Sequence, residues 1–573
     1  MAIFFDLTKI KNPTRKEYEY LSRENMYIVD DTTFKELEGT PYNAFWLGEK
    51  FIEAFDREKL EKYAQCCTGM QTGGNPKYVR LWYEVNFIDT TIYDVQGKFE
   101  KYNCGGENRR WYGNHYNVVN WENNGAKIRA EKNSVIRNEK WYRKEGISWK
   151  RIAGDVSYIR YLPEGFIIDQ AGDSLFPFDI HNLHYLLGFL NSKVATIAIS
   201  FVAPTMNLTA GNMKKMPVIF DETRRELIEK LVKENVNICR NDWDDYEVSW
   251  DFGRHPLLKI EMGESIKIKN VFLEYEQDCF KRFDTVQKNE VEINQNFIAI
   301  YGMEGDLGAS VEEDSVNVRK ANLEREIKSL ITYAVGCIMG RYSLKEDGLI
   351  NAGGEWDESR YSDDFKPCEY GVMPITEEQF FEEDLCTRVI DFIKVVYGED
   401  TLNENLKFIA NALKPDSFDA PKKIIRDYLF NDFFYNHYQI YQHRPIYWQL
   451  DSGKEGGFRA IVYMHRFTEN TLPLVRAEYI QDLRYKYEEE IQRKQKTPLE
   501  GKTTAEKNAV KKDIAALDKK IVECSAYDDL LNHVTSSIQN YVFDLDDGVK
   551  TNYAKFLSID GDKNKNILTV IKL

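Results

Sequence analysis

The sequence of 573 residues contains no Gly-x-Gly, no Pro-Pro, no Cys-x-x-Cys and no apolar run long enough to cross a bilayer. Without Gly-x-Gly there is neither a dinucleotide fingerprint nor the common glycine turn that cradles S-adenosylmethionine. Without Pro-Pro there is no (Asp/Asn/Ser)-Pro-Pro-aromatic loop. In that device a polar side chain and a carbonyl accept the exocyclic amine of a flipped adenine while the ring stacks on the base. The nearest string is Thr40-Pro41-Tyr42, which lacks the second proline and the acceptor. HExxH, P-loop and GxSxG patterns are missing as well.

The nine cysteines are scattered except for the adjacent Cys66 and Cys67. With no Cys-x-x-Cys to build a zinc knuckle or redox pair, they read as reduced, mostly buried thiols. His181 and His184 open an apolar segment with no Cys or Glu cluster beside them, which favours packing or capping over metal binding. Asp242, Asp244 and Asp245 read as the solvated acidic end of a helix rather than a site for a hard cation. The N-terminal residues lack a signal peptide's cleavage pattern, and the expected location is the cytoplasm, with no membrane partner.

What is present is a segregated charge. The formal net charge is −16, yet residues 61–220 hold 20 Lys+Arg against 15 Asp+Glu, a net of +5 that leaves −21 for the rest. The same window holds five of the ten tryptophans, Trp82, Trp111, Trp121, Trp141 and Trp149. Within it, Ser134–Ile168 interleaves Trp141, Tyr142, Trp149, Tyr158 and Tyr161 with Arg137, Lys140, Arg143, Lys144, Lys150, Arg151 and Arg160. Bases stack on aromatic faces and cationic groups meet phosphates, so the pattern suits a nucleic-acid surface; a β-rich core with solvated charges is the plain alternative.

At this length three or four domains are expected, and the pattern is α+β. Residues 1–60 form a lead-in with a helix from Tyr42 to Phe55. Residues 61–220 form a β-rich domain of short strands (YVRLWYEV, VVNW, SYIRYL, GFIID) joined by loops that include ENNGAK. It closes on a helix whose Leu183, Leu186, Leu187, Leu190, Val194 and Ile197 make one buried stripe. Residues 221–345 read as a helical spacer, and 346–470 as a mixed α/β region that begins with a long polar loop to 375. That region ends in a β-hairpin of RPIYWQL and FRAIVYMHRF. Residues 471–535 form a helical hairpin in which Val510, Ile514, Leu517, Ile521 and Cys524 follow a coiled-coil seam, and 536–573 form an ordered tail.

Several strings together closely resemble the C-terminal half of the PglX family, the adenine-specific DNA methyltransferases of BREX phage-defence systems. They are GTPYNAFWL, CCTGMQTGGNPKYVRLWYEV, NCGGENRRWYGNHYNVVNWENNG, SVIRNEKWYRKEGISWKRI, YLLGFLNSKV, RPIYWQL, AIVYMHRF and DLDDGVKTNYAKF. The resemblance is collinear over nearly the whole chain. Members of that family carry an S-adenosylmethionine fold and an Asn-Pro-Pro-Tyr loop ahead of these segments, so this chain is expected to be a truncated, split or fragmentary member without a catalytic half. No catalytic residue carries over, and no cofactor or metal is expected in the chain itself.

The resemblance implies that residues 61–220 are the target-recognition domain. Lys77, Arg80, Arg109, Arg110, Trp111, Arg137, Lys140, Arg143, Lys150, Arg151, Lys214 and Lys215 are the candidate contacts to double-stranded DNA. A separate methyltransferase half and other BREX proteins are the implied protein partners. The competing reading is a non-catalytic protein–protein scaffold that does not touch DNA. An unrecognised nuclease would need an acidic metal cluster, and none can be assembled from the sequence.

Overall fold

The computed structural model describes residues 2–7, 10–29, 49–55, 57–152, 158–203, 207–258, 265–496, 503–537, 541 and 543–573. The protein is α+β, and it divides into two compact units, each assembled from separated pieces of chain. The first comprises Met1–Val79, Lys98–Trp243 and Cys279–Lys320; the second comprises Arg80–Gly97, Asp244–Asp278 and Ala321–Leu573. The expected recognition segment 61–220 therefore falls in the first unit, apart from residues 80–97.

The strands of the N-terminal portion are β1 (Ala2–Phe5), β2 (Met26–Val29), β3 (Ala64–Cys67), β4 (Val79–Leu81), β5 (Phe99–Asn103) and β6 (Asn117–Asn120). They continue with β7 (Gly146–Trp149), β8 (Ile159–Leu162), β9 (Ile167–Ile168) and β10 (Ser174–Pro177). In the first unit β1 and β2 pair antiparallel, and the main sheet is ordered β3–β10–β7–β8, antiparallel throughout. A second sheet contains the run β6–β5–β9, in which β5 and β9 are parallel. The Val/Ile and aromatic runs form these strands because their side chains fill the pleated, buried faces: Ile147, Ile159, Leu162, Ile167 and Leu175 are fully buried.

The stripe from Leu183 to Ile197 is two helices rather than one. Leu183–Asn191 and Lys193–Val202 meet at an angle of 79°. Ser192 adopts an extended conformation and its hydroxyl accepts the Ala195 N–H as the N-cap of the second helix. Asn191 turns its amide onto the Ile159 carbonyl at 2.9 Å. Among the described residues no single helix is long and apolar enough to cross a membrane. The first unit's helical core closes where Phe189 stacks on Tyr301 at 5.5 Å, and Gly188 lets Val232 approach so closely that a Cβ would lie 2.8 Å from its methyl group.

Other expectations are adjusted locally. Only Val79–Leu81 of YVRLWYEV is a strand, and Trp82–Glu84 form a 3₁₀ turn. The expected loop ENNGAK opens a short helix, Glu122–Arg129, through three left-handed residues, Asn123, Asn124 and Gly125; asparagine and glycine tolerate that region best. Of the helix expected from Tyr42, Glu49–Ala54 is helical, and residues 42–48 lie outside the described residues.

In the second unit, β11 (Val372–Ile375), β12 (Tyr447–Asp451) and β13 (Arg459–Tyr463) form a sheet in the order β11–β13–β12. The expected hairpin is thus present, and the end of the expected 346–375 loop is its third strand. Trp448 is fully buried among Phe467, Tyr553 and Phe556. Helices Gln481–Lys496 and Thr504–Ser536 run antiparallel, pinned by Lys494–Asp513 at 3.1 Å and, from the helical turn Val475–Ile480 that leads into the first, by Arg476–Asp528 at 2.7 Å. Leu517 and Cys524 of the expected seam are buried; the KTPLEG break falls largely outside the described residues.

Candidate nucleic-acid interface

Strand β10 sets the geometry of the candidate site. Its Ser174 lies opposite Cys67 of β3 on one side and Ser148 of β7 on the other. From β3 the chain continues to Thr68, whose carbonyl accepts the Asn138 side-chain N–H at 2.9 Å. That bond ties the loop carrying Arg137, Lys140, Trp141 and Lys144 to this corner of the sheet.

Three cations expected from the sequence act on the same corner. The Cys67 thiol is pushed up to about 11 by burial, and the positive charges of Lys214 and Lys140 pull it the other way. Burial raises the Asp173 carboxyl, opposed by hydrogen bonds from Thr68 and Ala210 and then by the charge of Arg151. Lys140 and Lys214 therefore lie near enough to Cys67, and Arg151 near enough to Asp173, for their charges to act there. Lys150 runs beside Gly105, where a Cβ would sit 3.4 Å from the lysine's Cγ, and Lys215 follows Lys214 at the exposed end of a short helix.

The aromatic half of the stretch is mostly interior. Tyr142 and Trp149 are buried, and Trp149 donates its indole N–H to the Leu208 carbonyl at 2.8 Å. Tyr161 is half-buried and donates its hydroxyl to Glu145 at 2.5 Å. Trp141 differs. It is half-buried, stacked on Phe176 with ring centroids 5.3 Å apart, and overlaid by Lys140 and Lys144, whose ammonium nitrogens lie 5.6 and 4.9 Å from its ring centroid. Tyr158 is half-buried as well, with the Arg110 guanidinium 5.9 Å from its ring centroid, so Trp141 is the half-buried ring of the stretch that two exposed lysines frame.

Arg109, Arg110 and Trp111 face inward. Arg109 Nη2 reaches Asp242 at 3.0 Å and the guanidinium lies over Trp243 at 4.8 Å. Arg110 Nη1 reaches Glu290 at 3.2 Å, and its backbone N–H is held by Asn317 at 2.8 Å. Trp111, only 1% exposed, donates to the other oxygen of Glu290 at 2.7 Å. Asp242, expected on a solvated helix end, is buried and also accepts from Arg319 Nε at 3.3 Å. These charges are compensated within the protein, which removes Arg109, Arg110 and Trp111 from the groups that can meet DNA in this conformation. Arg160 is fully buried and bonds the Cys104 carbonyl at 2.8 Å.

The remaining expected contacts are dispersed. Arg137 is exposed beside Asn138. Arg143 is exposed and grips Glu100 through two bonds of 2.8 and 2.6 Å. Lys77 pairs with Glu131 at 2.8 Å, and that bond raises its pKa. Arg80 belongs to the second unit, where its Nε donates to the Asp546 carbonyl at 3.1 Å. Sequence reasoning left Lys144 and Trp141 out of the candidate contacts, although both lie in the stretch it singled out. The nine cysteines form no disulfide, seven of them are buried, and the described residues hold no group of three or more His, Cys, Asp or Glu able to ligate a metal.

Beside this arrangement of short sheets, packed helices and a few exposed lysines stands a similarity in sequence to two adenine-specific methyltransferases. The chain is 34% identical over 588 residues, 99% of this chain, to the adenine-specific methyltransferase PglX of Lacticaseibacillus casei (strain Zhang). It is 32% identical over 592 residues, 97% of this chain, to the adenine-specific methyltransferase BrxX of Escherichia coli O9:H4 (strain HS). The chain spans about half the length of these curated relatives, 47% in each case. No family model matches it.

Proposed function

We propose that this chain is the DNA-recognition and assembly portion of a site-specific adenine-N6 DNA methyltransferase of a BREX-type phage-defence system. The similarity over 97–99% of the chain to two adenine-specific methyltransferases carries the reading. The cationic corner supports its DNA-binding half. Lys140, Lys144, Lys214 and Lys215 supply phosphate contacts that position the protein, and residues near Trp141 approach base edges. The antiparallel helical hairpin and the rest of the acidic second unit serve assembly with other defence-system proteins.

S-adenosylmethionine does not fit the residues present. They contain no Gly-x-Gly turn to hold it and no Pro-Pro loop to present a flipped adenine to it. Methyl transfer in this reading is the task of a separate catalytic half, and no step of it is assigned here. The test is a transfer assay with labelled S-adenosylmethionine and duplex DNA, run beside a binding assay on the same full chain. Salt-sensitive binding with no methyl transfer is the expected result; robust methylation by the chain alone overturns the division of labour.

A further inference from the structure

The second unit contains a cavity of about 370 Å³ that the DNA reading does not use. Its mouth is aromatic, with Trp356 39% and Tyr370 47% exposed. One wall is rigid: the Arg466 guanidinium lies 3.8 Å from the Trp356 ring centroid, and Tyr361 stacks on Trp356 at 4.8 Å. The carbonyls of Met339 (3.2 Å), Cys368 (2.8 Å) and Glu369 accept the Arg466 N–H groups and fix its plane.

The inner end is formed by Asn351 and His465, 6% and 9% exposed. His465 Nε2 lies 3.1 Å from the Val85 carbonyl, so it carries the hydrogen and Nδ1 is an acceptor. Burial and the charge of Arg341 hold this imidazole down at about 3, and the ring is neutral at ordinary pH. His465 Nδ1 has no partner, and neither has Asn351 Oδ1, whose amide nitrogen reaches the Gly353 carbonyl at 3.5 Å. Two buried acceptors without donors call for a ligand that brings N–H groups.

We propose that this cavity binds a planar nucleobase bearing an exocyclic amine, its ring against Tyr370 and the fixed guanidinium of Arg466, its N–H groups directed to Asn351 and His465. The volume lies in the range of small-ligand sites. The positive charge of Arg466 disfavours a cationic amine, and flat aromatic and guanidinium surfaces favour a π-face. Uracil presents carbonyls where adenine and cytosine present an amine, and it would leave an acceptor unmet. The base has two sources, a free nucleoside or an unpaired nucleotide of a strand.

Titrating the full chain with adenosine and with uridine by calorimetry tests the inference, with Tyr370→Ala as the variant because its side chain is exposed and its loss leaves the core intact. Adenosine should bind at least about tenfold more tightly than uridine, and Tyr370→Ala should weaken it by on the order of tenfold. Competition by short oligodeoxyadenosine with the same Tyr370 dependence assigns the base to a strand; adenosine binding without such competition assigns it to a free nucleoside. Absence of adenosine binding at millimolar concentration, equal binding of uridine, or binding indifferent to Tyr370→Ala overturns the proposal.

Discussion

Trp111 donates its indole N–H to Glu290 at 2.7 Å, while Arg110 holds the second oxygen of the same carboxylate at 3.2 Å. A tryptophan and an arginine that read from composition as a DNA-binding pair are joined to one buried acid. Removing one partner of a buried ion pair leaves an uncompensated charge and costs about 3–5 kcal/mol. Arg110→Ala should therefore lower the midpoint of urea unfolding clearly, while the salt dependence of DNA binding by the folded variant stays that of the parent. A fall in salt dependence with unchanged stability would place Arg110 on the DNA instead.

Gly146 is fixed by close approach. A Cβ there would stand 2.6 Å from the Leu175 carbonyl and 2.8 Å from the Phe176 ring, the ring on which Trp141 stacks. Gly146→Ala should destabilise by about 1–3 kcal/mol through overpacking and should weaken DNA binding by displacing the Trp141 loop. Chemical denaturation and a binding titration on the one variant check both effects.

Glu247, in the second unit, supplies a pH signature. Burial raises its carboxyl to about 8, with the Arg341 charge and the Tyr441 hydroxyl acting in the opposite direction. The unfolded chain loses this proton near the ordinary carboxylate value, whereas the folded protein keeps it until about pH 8. Between those limits the folded state binds more protons, so the stability contributed by protonated Glu247 is present at low pH and declines as pH rises through the window, by up to ~5 kcal/mol. The shift is a burial effect, and Glu247→Gln should flatten this decline in melts recorded from pH 5 to 9. An unchanged slope in the variant would show that Glu247 does not titrate in this range.

Much of the fold is legible where the signal is local. The strands of SYIRYL, VVNW and GFIID and the 447–463 hairpin follow from β-branched and aromatic runs bounded by turns, and Leu517 and Cys524 of the helical seam are buried as their spacing implies. What was not legible depends on partners distant in sequence. Val372–Ile375 is four residues long, contains Pro374 and becomes a strand only because Arg459–Tyr463 pairs with it. The break at Ser192 comes from one hydroxyl capping a helix inside a continuous apolar stripe.

The candidate contacts divide on the same principle. Lys140 and Lys214 act on Cys67 and Arg151 on Asp173, and the sheet register sets Cys67 opposite Ser174, the neighbour of Asp173. Arg109 and Arg110 turn inward because Asp242 and Glu290 wait on helices far along the chain. No local pattern distinguishes a basic loop that faces DNA from one that faces an internal acid.

The most direct test is the affinity of the full chain for duplex DNA across a salt series, with Lys140, Lys144, Lys214 and Lys215 replaced together by alanine. Each phosphate contact contributes about 0.9 to the slope of log affinity against log salt. The parent should show a steep linear dependence, and the variant should lose roughly three to four units of slope at unchanged melting temperature. Binding that ignores salt, or a variant with the parent's slope, would contradict the assignment of this corner to DNA.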